Sequence, residues 1–177
     1  MTTQFMEDAF ELGRIIAPDQ WTALVAQFPE FLQLGGAVRR TDAKTLTLAL
    51  EKKINSMTRS INHYEYQRDI DRTGLADVWY PDRGGDCEDK ALYLIQRLIE
   101  MQPEIAGSLR LAICELKNGP IHAVAVLETK DRDYVIDPTL ATYMVDWRVY
   151  PVKNWVMRLG FKHLWQNFKP KKNGETT

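Results

Sequence analysis

The sequence predicts an α+β domain with an antiparallel sheet. Apolar residues recur at helical spacing through the N-terminal half. Three short segments rich in strand-forming residues then follow one another with only turns between them. Strands joined by short turns pair antiparallel, whereas parallel strands need a long crossover. Helices first and strands afterwards are typical of α+β folds, and they exclude the βαβ alternation of α/β proteins.

Three helices are predicted before residue 70, with a loop at Gly35-Gly36 between the second and the third. Residues 4–16 form the first, Pro18-Asp19 starts the second, and Pro29 ends or kinks it. Thr41 or Asp42 is expected to cap a longer third helix. The apolar stripes are Phe5, Ala9, Leu12 and Ile16; Trp21, Leu24, Val25 and Phe28; and Leu46, Leu50, Ile54, Met57 and Ile61.

Residues 70–86 are predicted to form a loop, because glycine, proline and aspartate are concentrated there. A strong helix follows from Asp86, with Pro103 and Gly107 closing it. One face of this helix carries Cys87, Ala91, Leu94 and Leu98. We expect that face to lie against the sheet.

The predicted strands are Leu109–Leu116, His122–Glu128 and Tyr134–Asp137. From Tyr143 onward the chain is rich in Trp and Tyr, and we predict a packed C-terminal element there. The terminus at Lys169–Lys172 is basic and is expected to be solvated.

Composition excludes several classes of protein. The 177 residues favour a single domain, and 23 Lys+Arg against 24 Asp+Glu argue against a general nucleic-acid binder. No apolar run reaches the roughly 18 residues of a membrane span. The N-terminus lacks the features of a secretory signal, so a cytoplasmic location is expected. The oligomeric state is not readable from the sequence.

The two cysteines are predicted to differ in role. Cys87 follows Gly84-Gly85-Asp86 and lies in the first turn of a helix, where unpaired N–H groups and the helix dipole stabilise a thiolate. A half-buried structural thiol is the commoner situation for an isolated cysteine. Cys114 lies within an apolar strand and is predicted to be a core residue.

A base for Cys87 is available among only three histidines. His122 opens one predicted strand and Asp137 ends the next. With a four-residue loop at 129–132, Val124 opposes Asp137, and His122 becomes its diagonal neighbour within reach of a hydrogen bond. One helix start and one hairpin can therefore supply a nucleophile, a base and an orienting carboxylate.

These residues resemble a known family. Gly-Asp-Cys-Glu-Asp at 85–89 is similar to the signature of the bacterial transglutaminase-like cysteine proteinases, which have a papain-like transglutaminase core. The resemblance extends over roughly residues 55–140. It includes segments upstream and downstream of the cysteine: Ile61-Asn62, Tyr66, Asp69, Asp77–Pro81, Leu109–Leu111, His122–Val124 and Tyr134–Asp137.

The resemblance implies that Cys87 is the nucleophile, His122 the general base and Asp137 its orienting residue. We divide the single domain 1–177 into a helical extension (1–58), a catalytic core (59–142) and a C-terminal packing element with a basic tail (143–177).

The resemblance also implies calcium, because acidic residues beside the cysteine help to bind the metal in known members. The matching residues are Asp86, Glu88 and Asp89. These carboxylates should raise the pKa of the thiol, and a bound Ca²⁺ would cancel that effect. Simple capping of the helix, with Asp86 as N-cap, is the competing interpretation, because adjacent residues at a helix start do not all face one ion.

The predicted reaction is cleavage of a protein or peptide substrate through a thioester acyl-enzyme. The backbone N–H of Cys87 is the first candidate for binding the oxyanion, and Asn62 or Trp79 could supply a second donor or line the cleft. Core packing explains Trp79 equally well. Transglutaminase or deamidase chemistry on side-chain amides is the enzymatic alternative, and a non-catalytic protein-binding module on the same fold is the other.

Overall fold

The computed structural model describes residues 19–34, 47–75, 78–130, 132–159 and 165–166. The predicted helix at 4–16, the Gly35-Gly36 loop and the basic C-terminus lie outside these residues. None of the helices in the described ranges combines the length and the apolar character needed to cross a bilayer.

The N-terminal helices form around the predicted apolar stripes. Helix α1 covers 19–27 and buries Trp21 and Leu24, and a 3₁₀ helix, Pro29–Gln33, follows it. Helix α2, Leu48–Asn62, starts later than predicted. Its N-cap is Thr47, whose hydroxyl accepts a hydrogen bond from the backbone N–H of Leu50 at 3.2 Å. The predicted cap residues Thr41 and Asp42 lie outside the described residues.

The stretch predicted as a loop contains a short helix. Helix α3, Asp69–Thr73, ends at Gly74, which adopts the left-handed conformation with φ of 77°. Glycine and aspartate content hid this turn, because Asp69 and Asp71 favour a first helical turn as well as a loop. The turn places the side chains of Asp69 and Arg72 beside the next helix.

Helix α4, Cys87–Met101, and the sheet form the centre of the molecule. A 3₁₀ helix, Pro103–Ser108, joins α4 to the first strand. Within the described residues the sheet has six strands, all paired antiparallel, in the order β4-β3-β2-β1-β5-β6. They are β1 Leu109–Leu116, β2 Ile121–Glu128, β3 Asp133–Ile136, β4 Val145–Asp146, β5 Val152–Leu159 and β6 Trp165–Gln166.

Both faces of the central strands are covered. Ala123, Ala125 and Leu127 of β2 join the core formed with α4. The alternate residues Val124 and Val126 belong to a second apolar cluster on the other face. This second cluster also contains Ala112, Cys114, Val135 and Tyr150, with Trp147 and Trp155 packed against it.

The predicted segment boundaries need correction. The boundary at 58/59 falls inside the continuous helix α2. The segment from 143 supplies β4, β5 and β6, and β5 pairs with the central strand β1, so this segment is part of the sheet rather than an element packed on it. Strand pairing satisfies backbone groups that an external packing element would leave to solvent.

Candidate active site

Cys87 is the first residue of α4 and is nearly buried, with 9% of its surface exposed. Asp86 is the N-cap by backbone conformation, but its side chain accepts no capping hydrogen bond. The prediction that the Asp86 carboxylate caps the helix was therefore wrong. Since that carboxylate does not engage the first-turn N–H groups of α4, it leaves them to other acceptors.

The Cys87 sulfur lies between Glu88 and the start of β2. The thiol donates a hydrogen bond to Glu88 Oε2 at 3.1 Å, and the backbone N–H of Ala123 donates one to the sulfur. Burial raises the pKa of the Cys87 thiol well above its ordinary value, and the Glu88 charge and hydrogen bond add to the rise. The Ala123 bond acts in the opposite direction. In this arrangement the thiol is protonated.

His122 and Asp137 form the pair that the hairpin register predicts. His122 Nε2 lies 3.0 Å from Asp137 Oδ2, and both side chains are buried. The β2–β3 pairing includes Ala125 opposite Ile136, so the next step along the strands sets Val124 opposite Asp137. The predicted register and the four-residue connection at 129–132 are confirmed. Ala123, whose amide meets the sulfur, directly follows His122.

Asp137 is held by four hydrogen-bond donors. Oδ1 accepts from the backbone N–H of Thr139 at 2.9 Å and of Leu140 at 3.2 Å, and Oδ2 accepts from the Tyr150 hydroxyl at 2.6 Å in addition to His122. Burial acts to raise the pKa of Asp137, but the bonds and the charge of His122, with the other donors, outweigh it and lower the pKa. Asp137 is therefore an ionised acceptor at neutral pH.

The Asn62 amide is occupied by two carbonyl oxygens, whereas a role of Trp79 as an oxyanion donor or cleft residue stays a prediction. The Asn62 amide donates to the carbonyl oxygens of Pro138, at 3.3 Å, and Thr139, at 2.9 Å, so it fixes the turn that follows Asp137. Trp79 is 7% exposed and belongs to the main core. Core packing, the alternative for Trp79, explains its position.

A cluster of three buried carboxylates lies beside Cys87. Asp69, Asp86 and Asp89 each place an oxygen within 4.8 Å of the others. Glu88, predicted to join Asp86 and Asp89, is absent from this cluster and contacts the thiol instead. The reason is helical geometry, since residues 86 and 89 lie three apart on one side of the helix start while residue 88 points elsewhere. Asp69 takes the place assigned to Glu88.

Arg72 links this cluster to its surroundings. Its guanidinium contacts Asp69 at 2.7 Å and Asp82 at 3.0 Å, and also contacts Asp89. The other Asp89 oxygen accepts from the backbone N–H of Tyr80 at 2.8 Å. Burial raises the pKa of Asp89 to about 8, and neighbouring Asp86 adds to the rise while Arg72 opposes it. One guanidinium therefore compensates three buried carboxylates only in part.

The whole arrangement agrees with one family of proteins. The family model described as bacterial transglutaminase-like cysteine proteinase BTLCP matches residues 17–171. The chain belongs to the bacterial transglutaminase-like cysteine proteinase family. Among curated proteins, none matches the chain significantly.

Solved structures of another proteinase of this family have a similar fold. Calcium-bound LapG of Legionella pneumophila is 19% identical, with a TM-score of 0.56 over 72% of this chain and 75% of LapG. A second LapG structure from the same organism is 20% identical, with a TM-score of 0.51 over 62% of this chain and 63% of LapG. These likenesses confirm the predicted fold class, a papain-like transglutaminase core with N-terminal helices.

Three side chains near the site were not assigned a role from the sequence. Arg72 was hidden in the segment predicted as a loop, and Tyr150 in the aromatic C-terminal segment. Burial raises the pKa of the Tyr66 phenol, and electrostatic interactions with Cys87 and Asp86 add to the rise, so Tyr66 is near the candidate nucleophile. The Arg72 signal could have been found in the spacing of Asp69 and Arg72, since i and i+3 residues meet on a helix.

Replacing Gly85 by Ala is expected to distort the turn before Cys87. A Cβ at Gly85 would lie 2.5 Å from the Cβ of Asp89, which Arg72 and the Tyr80 amide hold in place. We expect a loss of about 1–3 kcal/mol in the free energy of unfolding, measured by urea denaturation. Gly107→Ala is the control, because nothing lies within 4 Å of its Cβ position. Equal stability of the two variants would contradict the predicted clash.

Proposed function

We propose that this proteinase cleaves a protein substrate with Cys87 as nucleophile, His122 as general base and Asp137 as the residue that orients His122. The supporting observation is the buried 3.0 Å contact between His122 Nε2 and Asp137 Oδ2, one residue from the amide that meets the Cys87 sulfur. A base bound to an ionised carboxylate, on a strand whose next amide contacts a thiol, supports nucleophilic acyl transfer.

The contacts of Asp137 support Nδ1 of His122 as the nitrogen that acts as the base. Asp137 is an acceptor only, so the proton of neutral His122 resides on Nε2. The lone pair on Nδ1 is then free to take the thiol proton. The thiolate attacks the scissile carbonyl, and the first-turn N–H groups of α4 stabilise the oxyanion. His122 next protonates the leaving amine, the C–N bond breaks, and water hydrolyses the thioester.

The hydrogen bond from Cys87 to Glu88 has to break before this sequence begins. While the thiol donates to Glu88, its proton is directed at a carboxylate rather than at His122. The raised pKa of the Cys87 thiol also opposes the loss of its proton. The described arrangement is thus a resting one, and movement of the Glu88 side chain accompanies activation.

Comparison of cells expressing the wild-type chain with cells expressing Cys87→Ala tests the function. We expect new protein N-termini, mapped by mass spectrometry, only with the wild type. Deamidated or crosslinked glutamine without new N-termini would favour transglutaminase or deamidase chemistry. No difference between the two samples would favour a protein-binding module.

We also propose that Asp69, Asp86 and Asp89 hold calcium. Three buried carboxylates with a single guanidinium carry excess negative charge, and oxygen ligands suit Ca²⁺. A similar LapG structure is calcium-bound. The ion would supply positive charge beside the helix that carries Cys87. Glu88 and the thiol remain residues of the reaction rather than of the cluster.

Calcium is expected to raise the melting temperature of the wild-type protein relative to a chelator. An ion at about 100 times its Kd adds about 2.7 kcal/mol, or a shift of about 5–10 °C for a chain of this size. Asp69→Asn should abolish the shift. Asp71→Asn, two residues away on an exposed side chain paired with Arg68, should retain it. A calcium shift that survives Asp69→Asn would place the ion elsewhere.

A further inference from the structure

Tyr150 contacts the proposed triad from the segment between β4 and β5. Its hydroxyl donates to Asp137 Oδ2 at 2.6 Å, the oxygen that also lies 3.0 Å from His122 Nε2. We propose that Tyr150 is a positioning residue that acts through Asp137 to hold His122 in its catalytic orientation. This inference rests on the proposed function and extends the triad by one residue.

The Tyr150 ring is held on several sides, so the hydroxyl has a defined direction. The residue is 7% exposed and belongs to the second apolar cluster, on the sheet face away from α4. Its ring stacks on Trp155, with centroids 6.3 Å apart and an angle of 29° between planes. Its carbonyl accepts a hydrogen bond from the Val152 amide at 2.8 Å. A phenylalanine ring would make the same packing contacts. The packing therefore does not account for the presence of the hydroxyl.

The hydroxyl affects both the charge and the rotation of Asp137. Burial and the Asp137 charge raise the pKa of Tyr150, so the phenol stays protonated and remains a donor. Without it, Oδ2 keeps only His122 as a partner, and a buried acceptor would lose a bond. The backbone donors hold only Oδ1, so the carboxylate gains rotational freedom at the oxygen that orients the imidazole.

The other titratable groups around Asp137 do not substitute for Tyr150. Cys114 on β1 faces Asp137, but burial and Asp137 raise its pKa to about 12, so it is neutral at physiological pH. Lys90 on α4 interacts with Asp137 through charge, while its ammonium group donates to the Tyr64 carbonyl at 2.6 Å. Removal of the Tyr150 hydroxyl therefore makes Asp137 easier to protonate.

The test is the rate at which iodoacetamide alkylates Cys87, followed by mass spectrometry across the pH range in which histidine titrates. Tyr150→Phe should lower the alkylation rate at neutral pH about tenfold. This is the lower end of the range of about 10–100-fold for loss of a residue that hydrogen-bonds a functional side chain. It should also move the acid limb of the profile to higher pH. Tyr143→Phe, on an exposed side chain between β3 and β4, is the control and should match the wild type.

A double-mutant cycle separates positioning from general damage to the fold. If Tyr150 acts through Asp137, Tyr150→Phe should have no further effect in an Asp137→Asn background. If the effects of Tyr150→Phe and Asp137→Asn on the alkylation rate multiply in the double variant, the proposal is overturned. An unchanged rate and pH profile in Tyr150→Phe would also overturn it. If Tyr150→Phe does not fold, difluorotyrosine at position 150 strengthens the donor and should move the acid limb to lower pH; an unmoved limb would also overturn the proposal.

The same experiment distinguishes failure of the proposed function. If wild-type Cys87 reacts no faster than a cysteine in an unstructured peptide, and cells expressing Cys87→Ala show the same protein N-termini as cells expressing the wild type, then the proposed function fails together with the role of Tyr150. If wild-type Cys87 is activated and Tyr150→Phe equals it, only the role of Tyr150 fails.

Discussion

Replacement of Cys87 by Ala is expected to lower the rate of substrate cleavage by about 10⁴-fold or more. Removal of the nucleophile from an acyl-transfer triad leaves only the catalysis that substrate binding and the oxyanion site provide. The expected change in stability is small by comparison, since the side chain lies at the end of a helix and at the edge of the core. Cleavage rates on a substrate identified from its new N-termini measure the effect.

Cys114→Ala is the matched control for this variant. Cys114 is fully buried in β1 and lies directly opposite His122 in the β1–β2 pairing, so it shares the neighbourhood of the site. Its pKa of about 12 excludes thiolate formation at neutral pH. We expect cleavage within a few-fold of wild type and a loss of about 1 kcal/mol in stability. Full cleavage by Cys87→Ala would refute the assignment of the nucleophile.

The parts of the site that the sequence predicts are those that depend on local geometry. A cysteine after Gly84-Gly85-Asp86 defines a helix start, and a short polar turn between two strands defines a hairpin. The hairpin register depends on the loop length, which the sequence does not fix, so the closeness of His122 and Asp137 followed only for the case of a four-residue loop. The family resemblance adds the identity of the fold to this local geometry.

The remaining parts depend on contacts between residues distant in sequence. Tyr150 reaches Asp137 only because β5 pairs with β1, and no periodicity in the aromatic segment indicates that pairing. Asn62 appeared suited to an oxyanion, but the end of α2 places its amide against the turn after Asp137. Asp69 joins the acidic cluster through a helical turn whose composition is typical of a loop.

The same cluster gives the largest expected effect on stability. Arg72→Met is expected to lower the free energy of unfolding by about 3 kcal/mol, because the fully buried carboxylates of Asp69 and Asp89 lose their shared cation. For a chain of this size the melting temperature should fall by about 6–12 °C. Thermal unfolding followed by circular dichroism measures the change.

Arg68→Met is the control, because Arg68 makes the same kind of bond to Asp71 at an exposed position. The two side chains are 67% and 58% exposed, and such a pair contributes about 0.2–1 kcal/mol. Comparable losses in the two variants would contradict the prediction. Calcium, if it binds the same carboxylates, should restore part of the loss in Arg72→Met. The acidic residues beside the candidate nucleophile would then have two roles, one in folding through Arg72 and one in binding the ion.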